Sequence, residues 1–123
     1  MAITTRLRQV GTTSVVSLSG KVTLGEASQS LRTTLEQLFT RGSLQIVLNL
    51  EDVPFIDSAG LGVLAVNSAS AKAQGGALKL AAPQARVKDA LELVRLNQVL
   101  PFFATEQEAL DSFMPSGSAA PIQ

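Results

Sequence analysis

Apolar residues fall along this chain in short blocks, and their spacing changes from one block to the next. ITTRLRQV (3–10) and TSVVSLSG (13–20) are brief and rich in β-branched residues, with Gly11 between them. They predict a hairpin, Gly11 supplying turn dihedrals that other residues avoid and Val15, Val16 and Leu18 making the second strand largely apolar. Ala27, Leu31, Leu35 and Leu38 then recur four, four and three apart, with Phe39 beside them. One apolar stripe at that period predicts a helix, with Gln29, Arg32, Glu36 and Gln37 on its other faces and Gly42 ending it. LQIVLNL (44–50) is apolar almost throughout yet seven residues long, which suits a central strand covered on both faces.

Pro54 closes the next turn, and Phe55 and Ile56 return to the core. From Asp57 the period is helical again, through Leu61, Leu64, Ala65 and Ala69, until Gly75 and Gly76 stop it. ALKLAAP (77–83) predicts another strand, with Pro83 in the first turn of the following helix. That helix takes its stripe from Val87, Ala90, Leu91, Val94 and Leu96 and ends near Asn97. VLPFF is a short extended piece, and Thr105 with Glu108 makes a capping box for a last helix to about Met114. The order β-β-α-β-α-β-α-(β)-α predicts an α/β fold, a mixed and mostly parallel sheet of roughly 4–5 strands with about four helices. No repeat or long linker divides it, so residues 1–114 read as one domain and PSGSAAPIQ (115–123) as a disordered tail.

Composition removes several kinds of chemistry. The 123 residues carry ten basic and ten acidic side chains, so no clustered positive face is expected for nucleic acid. There is no polybasic run for a membrane surface and no apolar run long enough to span one. The start, MAITTRLRQV, lacks the apolar block of a signal peptide, so a cytoplasmic protein is expected. There is no Cys and no His, hence no thiolate chemistry, no imidazole base and no common metal ligand set. No cofactor and no catalytic activity are expected. Arg6 and Arg8 alternate along the first strand and read as a solvated face; one of Phe102 and Phe103 is expected to pack in the core.

FIDSAGLG (55–62) is the stretch that calls for an explanation. A nucleophilic Ser58 would need a base, and neither a His nor a Lys at the S-x-x-K spacing is present: Leu61 stands there, and Ile56 breaks the G-x-S-x-G pattern. A phosphate cradle would need the Lys of a P-loop, which SAGLG lacks. Two readings remain. Asp57 or Ser58 simply caps the helix, or Ser58 accepts a phosphoryl group where a helix N-terminus tolerates negative charge. Beside Asp57 the product would be a dense anionic spot acting on a partner surface, and Ala59, Gly60 and Gly62 keep the first turn slim enough for that partner to come close.

IVLNLEDVPFIDSAGLGVL (46–64) resembles the core of STAS domains, the sulfate-transporter and anti-sigma-factor-antagonist family, and most of all the stand-alone bacterial antagonists. The resemblance runs over about residues 4–114, with QGGALKLAAPQARVKDALELVRLNQVLPFFATEQEAL following the family's second half. It implies a STAS-like fold and a binding protein that is not an enzyme. It implies that Ser58 is the serine phosphorylated by an anti-sigma factor serine kinase, with Asp57 the motif aspartate before it. Unphosphorylated, such a protein binds the anti-sigma factor and frees a sigma factor; phosphorylation blocks binding and a PP2C-type phosphatase restores it. ATP belongs to the kinase. The contact face implied is Asp57, Ser58, Ala59, Gly60 and Gly62 with Lys21 and Thr23, and Lys21 and Thr23 replace the acidic residues of the family's GELD-like segment. Thr23 and Ser28 are further hydroxyls nearby. An accessory subunit on an ABC-transporter ATPase, a stress-signalling scaffold subunit and a small-ligand sensor are the competing functions, and a homodimer is among the assemblies open to it.

Overall fold

The computed structural model describes residues 3–113. The hairpin forms as expected, with β1 (Thr4–Val10) antiparallel to β2 (Thr13–Ser19) and Gly11 at φ 60° in the turn. The first stripe becomes α1 (Glu26–Thr40), which buries Ala27, Leu31, Leu35 and Leu38 and is followed by left-handed Gly42. Next come β3 (Gln45–Asp52), α2 (Ser58–Ala73) and β4 (Ala77–Ala81). The chain finishes with α3 (Ala85–Leu93), a 3-10 turn (Leu96–Gln98), β5 (Phe102–Phe103) and α4 (Glu106–Asp111).

The five strands lie in sequence order, β1-β2-β3-β4-β5, with every pairing after the hairpin parallel. Alternation along the strands sorts the core into two faces. Val16, Leu18, Ile46, Leu48, Leu78 and Leu80 pack with α1, α2 and α3 in the main core, while Val15, Val47 and Ala81 meet Ala109 of α4 on the other face. Phe102 and Phe103 divide between these faces, one against each cluster, so both rings pack where one was expected to.

Six residues of helix bury little surface, and polar contacts fix α4 in place. Arg8 forms an ion pair with Glu106, whose other carboxylate oxygen accepts from Asn49 Nδ2 at 3.0 Å. Lys79 Nζ donates to the Ser112 carbonyl at 3.1 Å and lies 4.0 Å from the Phe113 ring centre. Arg6 and Arg8 are both exposed, as a solvated face requires, and Arg8 in addition ties β1 to α4. Thr105 Oγ1 accepts from the Glu108 N–H at 3.1 Å, capping α4 as its sequence predicts.

The chain departs from the sequence pattern in its second half. The strand beginning at Ala77 ends at Ala81, because Ala82 turns into the left-handed region at φ 53°. Pro83 therefore precedes the helix, whose N-cap is Gln84. That helix stops at Leu93 and not near Asn97, since Arg95 is left-handed at φ 63° and redirects the chain so that Leu100 is fully buried. Val94 consequently leaves the stripe and is 51% exposed. The last helix ends at Asp111; Met114 and the expected tail, 115–123, lie outside the described residues.

Candidate functional site

Parallel strands deliver their connecting loops to one end of the sheet, beyond the carboxyl ends of the strands. The loop after β2 and the loop after β3 meet there and are joined by backbone hydrogen bonds. Val22 N–H donates to the Phe55 carbonyl at 2.9 Å, and Asp57 N–H donates to the Val22 carbonyl at 3.1 Å. Gly20 N–H adds a bond to the Asp52 carbonyl at 3.0 Å. Buried Val22 and Ile56 fill the seam.

Asp57 resolves which residue caps α2. Its Oδ1 accepts from Gly60 N–H at 3.1 Å and its Oδ2 from Leu24 N–H at 2.9 Å. One carboxylate thus closes the helix and ties the neighbouring loop to it. The bond from Leu24, with that from Gly60 second, holds the carboxyl below the ordinary carboxylate range. Ser58 is then released from capping: it is the first residue of α2 and its side chain is exposed.

The other expected contact residues take distinct positions. Lys21 is exposed and Thr23 half-buried, both in the loop bound to the Asp57 segment, so they share one end of the molecule with Ser58. Ala59 is half-buried and Gly62 exposed. Gly60 is buried, and a Cβ there would lie 2.8 Å from the Val22 carbonyl oxygen and 2.6 Å from Ile56 Cγ1. Its smallness lets α2 sit against the seam, whereas a Cβ on Gly62 would meet nothing within 4 Å. Ser28 is 8% exposed and donates its hydroxyl to the Gly25 carbonyl at 3.2 Å, which hides it from an incoming enzyme.

Pattern reading missed the surroundings of Ser58. A groove of about 430 Å³ between α1 and α2 is lined by Leu24, Gln29, Arg32, Ser58, Gly62 and Val66 among others. A second, of about 260 Å³, runs along the other flank of α2 past Ser58, Gly62, Ala65, Val94 and Leu96. Leu24 is 80% and Val66 65% exposed. The outward positions Ser58, Gly62, Val66 and Ala69 follow the helical repeat, and α2 carries no charged residue before Lys72. That gap in charge was readable in the sequence; the exposure of Leu24 and Val94 was not, because it depends on where α1 begins and α3 ends. Two larger hollows, of about 540 and 640 Å³, are lined in part by β1 residues and include neither Asp57 nor Ser58.

Among the described residues no helix is long and apolar enough to cross a membrane, and no group of three or more potential metal-ligating side chains converges. Comparison with known proteins gives a consistent picture. A protein of Thermotoga neapolitana described as an anti-sigma factor antagonist is 33% identical over 76 residues, which cover 62% of this chain and 67% of that one. A crystal structure of a Thermotoga maritima protein described in the same way superposes with a TM-score of 0.83 at 24% identity, covering 88% of this chain and 92% of that one. The antagonist SpoIIAA in its unphosphorylated form matches with a TM-score of 0.67 at 26% identity, covering 89% of this chain and 96% of that one. SpoIIAA from Bacillus in its phosphorylated form gives 0.70 at 24% identity, covering 90% and 100%. The family model for the STAS domain matches residues 4–109, which takes in the whole sheet and the Asp57–Ser58 turn, and the chain belongs to the STAS domain family.

Proposed function

We propose that this protein is an anti-sigma factor antagonist switched by phosphorylation of Ser58. In its unphosphorylated form it binds an anti-sigma factor that is also a serine kinase and so releases a sigma factor. The kinase transfers the γ-phosphoryl group of ATP to Ser58 Oγ: the new P–O bond forms as the bond to the ADP oxygen breaks, and the hydroxyl proton passes to a base of the kinase. A PP2C-type phosphatase reverses the change. The observation that carries this reading is the division of labour at the start of α2, where Asp57 takes the capping role and leaves Ser58 exposed on an uncharged helix face. Leu24, Val66 and Val94 around it offer apolar surface for a partner, and a group bearing about −1.5 to −2 charges at that place opposes its burial. The existence of SpoIIAA in unphosphorylated and phosphorylated forms supports the same chemistry.

Mass spectrometry after incubation with ATP and native cell extract tests this directly. One added phosphate, mapped to Ser58 and absent from Ser58→Ala, is expected. With the anti-sigma factor in hand, Ser58→Ala binds as the unmodified chain does and Ser58→Asp binds at least tenfold more weakly, on the order of 1.4 kcal/mol. Absence of phosphate at Ser58 from an extract active on another substrate would turn the function toward a transporter-ATPase or scaffold subunit.

A further inference from the structure

We infer that Arg32 is the counter-charge that receives the phosphate once Ser58 carries one, so that modification closes the groove between α1 and α2 from within the chain. The inference rests on the reading of Ser58 as the phosphoacceptor.

The usual support for a phosphate at a helix start is partly spent here. Gly60 N–H and Leu24 N–H both donate to Asp57, and the Asp57 carboxylate itself stands next to Ser58 in the chain. A phosphoserine at this position meets a neighbouring anion and a depleted set of backbone donors, so a cation from a neighbouring element has the most to add to its charged form. Arg32 is the one charged side chain lining the groove that Ser58 also lines. Lys21 and Glu26, the charged residues of the adjoining loop and of the first turn of α1, do not line it. Among the described residues the ion pair formed is that of Arg8 with Glu106, which leaves Arg32 without a carboxylate partner. Gln29, one turn earlier on α1, lines the same groove and adds an amide donor.

The geometry of a guanidinium suits the task, since its fork of donors matches two phosphate oxygens at once. The groove is shallow and bounded by exposed Leu24 and Val66. An Arg32–phosphate bridge spans it beside those two apolar residues. Phosphorylation then removes a docking surface as well as adding charge, and Arg32 loses its availability to any carboxylate of the partner.

The test installs phosphoserine at position 58 during translation, in the full chain with Arg32, with Arg32→Gln and with Arg32→Lys, and follows the second ionisation of the phosphate by 31P NMR at low salt. In the Arg32 chain that ionisation falls at lower pH than in R32Q, by about half a unit for an exposed pair. R32K restores part of the difference. Exposed Ser112 follows α4, which packs on the face of the sheet opposite α1, and serves as the control position. Phosphoserine placed there instead is insensitive to R32Q. Equal titration of the position-58 phosphate in the Arg32 and R32Q chains would overturn the inference, as would an equal response at position 112. Because no kinase is needed, the titration reads Arg32 independently of whether Ser58 is modified in the cell, which the extract experiment decides.

Discussion

Two glycines two positions apart in α2 do opposite things. A methyl group on Gly60 would press into the Val22 carbonyl, so Gly60→Ala costs about 1–3 kcal/mol of stability. On Gly62 the same methyl enters open space within a helix, and Gly62→Ala stabilises by roughly 0.5–1 kcal/mol. Urea denaturation of both variants should give shifts of opposite sign, with G62A also weakening partner binding by bulk near Ser58. Asp57 supplies a pH signature. Its carboxyl is held low in the folded chain by Leu24 and Gly60, so its stabilising contribution is complete above the unfolded value and is lost as pH falls below about 4. Wild type should lose stability relative to Asp57→Asn across that acidic window, read from denaturation midpoints. Asp57 and Ser58 were visible as a pair in the sequence. Which of them caps was not, because beside the local bond from Gly60 the Asp57 carboxylate takes a second one from Leu24, a residue 33 positions away that no local pattern places there.

The elements were legible wherever one stripe of apolar residues faced one core. α1 is such a case; β3 is legible for the other reason, a short run apolar on both faces, and extends two residues further, to exposed Glu51 and Asp52. Pattern reading failed after Leu91, where Val94 keeps the helical spacing but the backbone leaves the helix at left-handed Arg95. That turn is set by the need to bury Leu100 behind the sheet, a tertiary demand that local spacing does not carry. α4 shows the converse case, in which a weakly apolar helix is secured by side chains from distant strands. Glu106→Gln keeps the shape and weakens the tie to Arg8 on β1 and to Asn49 on β3. Amides of Glu106–Asp111 should then exchange several-fold faster, on the order of 1 kcal/mol, with β3 unchanged.

At the scale of the whole molecule, β1 is an outer strand, exposed along its full length, with Leu7 47% and Val10 40% open to solvent. Such an edge invites a second copy. Antiparallel self-pairing centred on Leu7 would set Arg6 of one copy opposite Arg8 of the other, a like-charge contact made twice. Arg6→Thr should therefore raise self-association along this edge, which sedimentation at increasing protein concentration would reveal.

The seam between the two loops reaches further than the placing of one hydroxyl. Val22 and Ile56 lie 34 positions apart in the chain, on either side of α1 and β3, so the bonds from Val22 to Phe55 and from Asp57 back to Val22 belong to the tertiary fold and not to any local segment. A nascent or unfolded chain has the same DSAG letters but no platform on which to display them. If Ser58 is the phosphoacceptor proposed above, an enzyme that contacts the seam together with the serine would act on chains in which these two loops have joined and pass over those in which they have not.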